Sequence, residues 1–579
     1  MKAEEARRQI TDLLTQWCDA LVRLQADLPG CARLDGGILC PACGRIHGRC
    51  WEAVYPLMTL AHANGDPRYL TAAKKLFAWG QNLRCADGGS RNEVSSEWKG
   101  VTAFAAIALC DALALHGDLL APEERRAWEA RLDELGTWLF EHLTERTPAY
   151  LNYYAANACA MALIGRRSAN GAYLALAKRL AAHCLRHVSG NGLIFGEGSP
   201  THAVSPKGCA AIDFGYNAEE TLPCLTRYAQ AAGDAETLER CVALWRAQLA
   251  WMLPDGGWDN SVGTRAFKWT YWGSRTADGC QAALFSLSDA DPAFAQAAWR
   301  NFELLRACTQ DGLLAGGPDY VRAGEPLCVH HTFCHAKVLA AALDAGIPAI
   351  PCAPLPSEPP PFTFYPELDV CRLAAGAWRM DVSGYDFRYP GASHATGGCV
   401  SLLWHADAGP LIAVGMVDYA LREPHNQQLP QHSEAHRSLC PRLEATVQGR
   451  RYGQQYCTEA RLSCLPMSGG AGARAETALC DETGAALPGG ACTLEYRLSA
   501  AGLTVCGQVD PALAGSASFV LPLIGDRATV RIRTGTLQSA PAAIFNLSPG
   551  FCAKEYWIAP DLSGCVCFTI NVEEKGARK

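Results

Sequence analysis

"TYWGSRTADGCQAALFSLSDAD", residues 270–291, opens on two aromatics, a hydroxyl and an arginine, and only then turns apolar and alanine-rich. It reads as a wet helix start followed by a short apolar helix that stops at Asp291. Pro292 then begins a second helix, because Asp caps a helix N-terminus and Pro is tolerated in its first turn. The same pattern recurs at intervals of roughly 50 to 60 residues, the signature of a repeat architecture. The other starts are "HGRCW" from His47, "EWKG" from Glu97, "LNYYAAN" from Leu151, "FGYNAEE" from Phe214 and "CVHHTFCHAK" from Cys328. Several of the helices they lead into end in a similar stop: "HANGDPRYL", "LHGDLLAPEE", "AAGDAETL". Beyond the stops lie segments such as "DAETLERCVALWRAQLAWML", charged on one face, which read as outer helices with one solvated side. Residues 4–27 supply the first outer helix. Six apolar inner helices, each backed by an amphipathic outer one, describe an (α/α)6 toroid over residues 1–346, with six polar aromatic starts opening onto one shared cleft.

The hairpins stop near residue 346. Residues 347–362, "IPAIPCAPLPSEPPPF", hold seven prolines in sixteen positions, which excludes helix and central strand and predicts an extended linker, taken as 347–364. Beyond it the texture changes to short β runs broken by Gly and Pro, among them "CVSLLWH", "SFVLPLIG" and "GCVCFTINV". Residues 365–579 are therefore expected to form an antiparallel β-sandwich, giving an α+β multidomain chain.

A chain of 579 residues exceeds the usual single-core size and accommodates such a division. Its net charge of -7 gives no basic footprint, so nucleic acid is not an expected partner. The N-terminus lacks an apolar signal core and no apolar run of about 18 residues stands out, so no membrane association is expected and the protein is read as cytoplasmic. The oligomeric state is not legible. Most of the twenty-eight cysteines lie scattered in apolar helical runs and read as reduced core thiols. One group differs: "CPACGRIHGRC" places Cys40, Cys43, His47 and Cys50 at a spacing that can close on zinc, against a bland reading as ordinary thiols beside a functional loop.

A helical toroid followed by a β-sandwich resembles the heparinase II/III-like and oligoalginate polysaccharide lyases, and the resemblance covers nearly the whole chain in architecture. It implies an Asn on one toroid helix, a Tyr on the next and a His or second Tyr from the β domain. The matching positions are Asn157, Tyr216 and His394, the first two being 59 residues, one hairpin repeat, apart. It further implies β-elimination on a uronic-acid-containing glycan, with Asn157 neutralising the carboxylate and Tyr216 and His394 moving protons. No cofactor is required for that chemistry. Some relatives hold a metal in the β domain with two His and one Asp; His405, Asp418 and His436 are weak candidates for a structural divalent ion, since Thr396 stands where those relatives place a ligand.

An anionic saccharide is the expected partner. Lys268, Tyr271, Trp272 and Arg275 lie within eight residues and suit stacking on sugars and pairing with carboxylate or sulfate. His47, Arg49, Trp98, Lys99, Tyr153, His330 and His331 join them from other helix starts, and Glu197 is placed to order Tyr216 or His394. Three alternatives stay open: a glycoside hydrolase using carboxylates such as Glu197, Asp213, Glu219, Glu220, Asp255 and Asp259, a uronate C5 epimerase, and a non-catalytic carbohydrate-binding protein.

Overall fold

The computed structural model describes residues 1–197, 204–352, 359–388, 394–431 and 437–573. Its N-terminal region is helical. In chain order the helices are α1 (Ala3–Arg23), α2 (Val54–Asn64), α3 (Pro67–Gly80), α4 (Thr102–His116), α5 (Pro122–His142), α6 (Leu151–Arg167), α7 (Gly171–Cys184), α8 (Phe214–Tyr216), α9 (Leu222–Ala232), α10 (Ala235–Leu249), α11 (Gln281–Ser286), α12 (Pro292–Ala307) and α13 (Val329–Ala345).

Two features of the sequence explain how they assemble. The inner helices are apolar on every side: α4, "TAFAAIALCDALALH", buries twelve of its fifteen residues, so it packs against protein all round. The stretch Thr102–Leu119 is apolar and long enough to cross a membrane by composition, contrary to the sequence expectation, and 72% of it is buried inside the helical region. The second helix of several hairpins starts on a side-chain cap. Asp66, Asp234 and Asp291 accept hydrogen bonds from the backbone NH groups of Arg68, Thr237 and Ala293, each contributing about 1 kcal/mol. In the "LHGDLLAPEE" stop the helix begins at Pro122, and Glu124 closes the end by accepting from the Ala121 NH at 2.9 Å. Packing runs α2 to α4 to α6 to α9 to α11 to α13 and back to α2, a closed circuit, with α1, α3, α5, α7, α10 and α12 each laid mainly against one member.

The C-terminal region is antiparallel sheet. A five-stranded sheet runs in sequence order from Phe362–Tyr365 to Gly409–Ala413, so the first strand overlaps the end of the expected linker and the sheet begins three residues before the expected boundary. A larger sheet of twelve strands spans Arg442–Val447 to Cys565–Val572. The two sheets share one apolar core, with Leu373, Trp378 and Met380 of the smaller packed among Leu443, Leu494 and Phe568 of the larger. Cys506 and Cys567 face each other in register and form a disulfide, which corrects the reading of the scattered cysteines as reduced thiols; the other twenty-six are free.

Helical and sheet regions are joined by apolar side chains. Leu193, Phe214 and Trp251 pack with Val370, Tyr385 and Phe387, while Leu253, Trp269 and Tyr271 pack with Trp404, Ile544 and Phe551. Burying such side chains contributes roughly 2 kcal/mol each. The joint brings residues that follow the five-stranded sheet over the open end of the helical circuit.

Candidate functional site

That end holds a cavity of about 800 Å³. Five of the six helix starts contribute to its wall: Arg49, Trp98, Tyr153, Tyr216 and Thr276 come from successive starts, with Asn152 and Glu220 beside them. Lys268 and Arg265 enter from the loop before α11, and Glu423 and Asn426 from the segment after the small sheet.

Tyr216 lies at the end of α8 and is followed by a π-helical turn, Asn217–Thr221, which displaces the register so that Glu219 and Glu220 follow it on the buried side. Such turns recur at functional sites because they re-aim side chains without ending the helix. The Tyr216 hydroxyl is 2.6 Å from the Thr276 hydroxyl and accepts from Lys268 Nζ at 3.1 Å. The Arg265 guanidinium lies 4.1 Å from the centre of the Tyr216 ring. Arg265 and Thr276 both adopt left-handed backbone conformations, with φ of 54° and 65°. For non-glycine residues that costs roughly 1–3 kcal/mol each, and both of these residues contact Tyr216. Burial and the nearby Glu220 push the Tyr216 phenol well above its ordinary range, with Arg265 and Thr276 pulling the other way.

A second cluster stands on the start of α6. The Asn152 backbone NH donates to Glu197 Oε1 and its amide donates to Glu220 Oε2, both at 2.5 Å. Glu197 also receives Arg265 Nη2 at 2.6 Å, while Arg265 Nε reaches Asp213 at 3.0 Å. Burial raises the Glu197 carboxyl to about 7, against the pull of Arg265. Burial likewise raises Glu220, against Arg49 at 3.5 Å. Lys268 is paired with Glu423 at 2.6 Å; burial disfavours the Glu423 carboxylate, yet Lys268 and Arg265 pull it down to about 2.

The expected trio is not brought together. Tyr216 lines the cavity. Asn157, one turn further along α6 than the cavity wall, is fully buried and donates to Leu143 O at 2.6 Å, tying α6 to the end of α5. The amide at the cavity is Asn152, five residues earlier in the same "LNYYAAN". His394 donates through Nε2 to Tyr385 O at 3.0 Å, and burial lowers it to about 4, so it is a neutral ring in the joint between the helical and sheet regions.

The residues expected to grip substrate divide similarly. Arg49, Trp98, Tyr153 and Lys268 line the cavity, and Trp98 Nε1 donates to the Tyr153 hydroxyl at 3.1 Å. Glu197 stands behind the wall as a support for Asn152 and Arg265. Lys99 is turned to Asp87, 2.6 Å away. Tyr271 donates to Asp255, and Trp272 donates to Ala315 O. Gly273 beside them is required, since a Cβ there would lie 2.0 Å from Glu219 Oε1. Arg275 reaches Leu547 O at 3.2 Å and is 3.4 Å from His331, and His330 packs against Phe333. Of the "TYWGSRT" start, Tyr271 thus builds the joint with the sheets and Trp272 the helical core, and only Thr276 of that stretch meets the cavity.

The metal candidates are also redistributed. His405 accepts from the Asp407 NH and packs on Trp378, Asp418 accepts from Tyr456 and Arg451, and His436 lies outside the described residues. Cys40, Cys43 and His47 do converge, but their fourth neighbour is Cys328 rather than Cys50. Sequence reasoning also missed Asn152, Arg265, Thr276 and Glu423. Arg265 carries no motif, and Glu423 is more than 150 residues from the loop it meets.

Comparison with known proteins gives a consistent family. The ulvan lyase N-terminal domain matches residues 14–353 and the ulvan lyase C-terminal domain residues 362–538. A broad-specificity ulvan lyase from Formosa agariphila is 36% identical over 532 residues, covering 90% of this chain and 83% of that protein. Among solved structures, the heparan sulfate lyase HepC from Pedobacter heparinus aligns over 90% of this chain and 75% of its own at 11% identity, with a TM-score of 0.44. A heparinase III aligns over 98% and 84% at 10% identity, with a TM-score of 0.45.

Proposed function

The chain belongs to the ulvan lyase family and is a polysaccharide lyase; from that premise we propose that it cleaves ulvan-type, uronate-containing anionic polysaccharide by β-elimination in the cavity around Tyr216. The finer architecture we propose with it is an (α/α)6 toroid over residues 1–346 carrying the cleft, and an antiparallel β-sandwich beyond the linker that completes it.

The carrying observation is the Tyr216 hydroxyl, held inside the cavity between Lys268 Nζ and the Thr276 hydroxyl. In the elimination the proton on C5 of the uronate passes to a base, the C4–C5 double bond forms, and the 4-linked oxygen leaves and takes up a proton. Tyr216 is assigned the proton transfers. As phenolate it takes the C5 proton, with Lys268 and Arg265 stabilising its charge, and as phenol it returns the proton to the leaving oxygen. Charge developing on the substrate carboxylate needs donors that are not themselves negative. The Asn152 amide, one N–H of which is held by Glu220, and the Arg49 guanidinium beside it supply them. Trp98 and Tyr153 offer ring faces to neighbouring sugars.

Hydrolysis would need two carboxylates free to flank the bond. The cavity-lining carboxylates are instead engaged: Glu220 with Asn152 and Arg49, Glu423 with Lys268, and Glu145 with Arg179. Incubation with ulvan is expected to produce the ultraviolet absorbance of an unsaturated uronate, and Tyr216→Phe to abolish it while polymer binding persists. Reducing ends appearing without that absorbance would overturn the elimination.

A further inference from the structure

Apart from the proton-transfer residues themselves, the segment between α1 and α2 makes a tight turn. Leu39 pairs with Ile46, the Cys40 NH donates to Arg45 O at 2.9 Å, and the Gly44 NH donates to Cys40 O at 2.9 Å, with Gly44 in the left-handed conformation. The turn projects Cys40 and Cys43 to one side. Cys328, the residue before α13, arrives there from the far end of the helical region. Its Sγ is 3.6 Å from Cys40 Sγ, 3.9 Å from Cys43 Sγ and 3.6 Å from His47 Nε2, and the four ligand atoms lie within 4.8 Å of one another.

The three separations from Cys328 match three edges of a tetrahedron, and the remaining ones stay within 4.8 Å. Zn–S bonds of about 2.3 Å and a Zn–N bond of about 2.05 Å at tetrahedral angles place sulfurs about 3.8 Å apart and sulfur about 3.6 Å from nitrogen. They do not match a disulfide, whose sulfurs stand about 2.05 Å apart. Three thiols and an imidazole are a donor set for zinc, and hard cations such as calcium or magnesium take oxygen ligands instead. The remaining ring nitrogen, His47 Nδ1, lies 3.6 Å from Glu93 Oε1, the kind of carboxylate that orients a metal-bound histidine. The Glu93 side chain is fixed in turn by the Gly48 NH. Cys40, His47 and Cys328 are buried and Cys43 half-buried, so the group is closed to solvent on most sides.

We propose that Cys40, Cys43, His47 and Cys328 bind one structural Zn²⁺ that clamps the first inner hairpin to the last and so closes the helical circuit. Bringing together residues separated by 288 positions supplies an ordering that the α2–α13 packing alone must otherwise carry. The clamp also reaches the cleft. Arg49, two residues beyond His47, donates to Thr276 O at 2.6 Å and pairs with Glu52, Asp278 and Glu220, so the metal fixes the segment that presents Arg49 to the cavity.

The test is metal analysis of the full-length protein expressed with zinc and purified without chelator. One equivalent of zinc per chain is expected. Cys43→Ser and Cys328→Ser should each fall below about a tenth of an equivalent, and Cys50→Ser should keep the metal, because a tetrahedral site fails when one ligand is removed. Since either ligand variant risks misfolding, wild-type protein stripped of metal and reloaded with Co²⁺ provides an independent readout. Intense tetrahedral ligand-field bands with thiolate-to-cobalt charge transfer support the site. Wild-type protein that holds no zinc and gives the weak spectrum of six-coordinate Co²⁺ overturns it, as does full zinc retention in Cys328→Ser.

Discussion

Two buried arginines invite comparison. Arg265 lies between Glu197 and Asp213 and over the Tyr216 ring at 4.1 Å. Arg372 lies between Asp259 and Asp381 and over the Trp251 ring at 3.8 Å. Both arrangements join a cation, two carboxylates and an aromatic face, and both are nearly closed to solvent. They differ in what the ring carries and what lies beyond it. Trp251 offers only a surface, and its arginine sits on a regular strand, Val370–Ala375, bridging to the helical region through Asp259 and Ala250 O. Tyr216 carries an ionisable hydroxyl facing a cavity, and its arginine is held in a strained conformation. The same charge motif therefore serves as a fastener in one place and as a means of tuning a phenol in the other.

The sharpest way to break that comparison is to remove the phenol. Tyr216→Phe is expected to lower kcat at least about 10³-fold, about 4 kcal/mol of transition-state stabilisation, with the melting temperature little changed. Steady-state kinetics beside a thermal melt will decide it, and a variant that melts early with proportionate activity would make Tyr216 a second fastener. Arg372→Met should do the converse. It leaves Asp259 and Asp381 facing each other without their cation, for a loss of about 3–4 kcal/mol in folding stability by denaturant titration, with kcat/KM within about three-fold of wild type at low temperature.

A finer contrast lies within one helix. Asn152→Ala removes a cavity amide and is expected to cost about 10²-fold in kcat, the magnitude typical of losing a donor to developing negative charge. Asn157→Ala removes only bonds to Leu143 O and, more weakly, Leu139 O, for about 1 kcal/mol of stability. Reversed outcomes would return the carboxylate-neutralising role to Asn157.

The helix Leu151–Arg167 also marks the limit of what the sequence discloses. Periodicity of apolar residues and Asp caps located the hairpins, because those signals are local and repeat. The proline run located the change to sheet within a few residues. Which asparagine of "LNYYAAN" meets the cavity depends on the first turn of the helix, where a shift of five residues moves an amide from the cleft to a neighbouring helix end. The aromatics of "TYWGSRT" look like sugar platforms from composition alone, yet Tyr271 is consumed by the joint with Trp404 and Phe551, on strands that only tertiary structure brings near, and Trp272 by the helical core. Arg265 was silent for another reason: its role arises from a backbone conformation that no residue type announces. Cys328 in place of Cys50 follows the same rule, since spacing in sequence favours the near cysteine and the closure of the circuit favours the distant one.

Lys268 links the cavity to the sheet region and allows the comparison to be read through pH. Its ammonium donates to Tyr216 and pairs with Glu423. Tyr216 is raised, so the phenolate fraction, and with it kcat/KM, should climb with pH through the neutral range. Lys268→Met withdraws a cation and raises the phenol further. The rising limb should move about one unit to higher pH, with about a ten-fold lower kcat/KM at neutral pH. The double variant Lys268→Met with Glu423→Gln separates this from the effect of an unpaired Glu423.

The smallest effect concerns Glu423 itself. Its carboxyl is about 2 in the folded protein against an ordinary 4.5, so the folded state favours the ionised form. The resulting stability is fully present above the unfolded value and drains away as pH falls from about 4.5 toward 2. The side chain keeps 21% exposure, so solvent screens the pair, and the loss across that window is expected to be about 1 kcal/mol. Glu423→Gln should lose that much less stability than wild type between pH 5 and pH 2 in parallel urea titrations. Arg372→Met, whose disturbed carboxylates are Asp259 and Asp381, should keep the Glu423 contribution. If Glu423→Gln leaves the acid profile unchanged, the Lys268–Glu423 pair does not hold in solution, and Lys268 is then free to meet substrate directly.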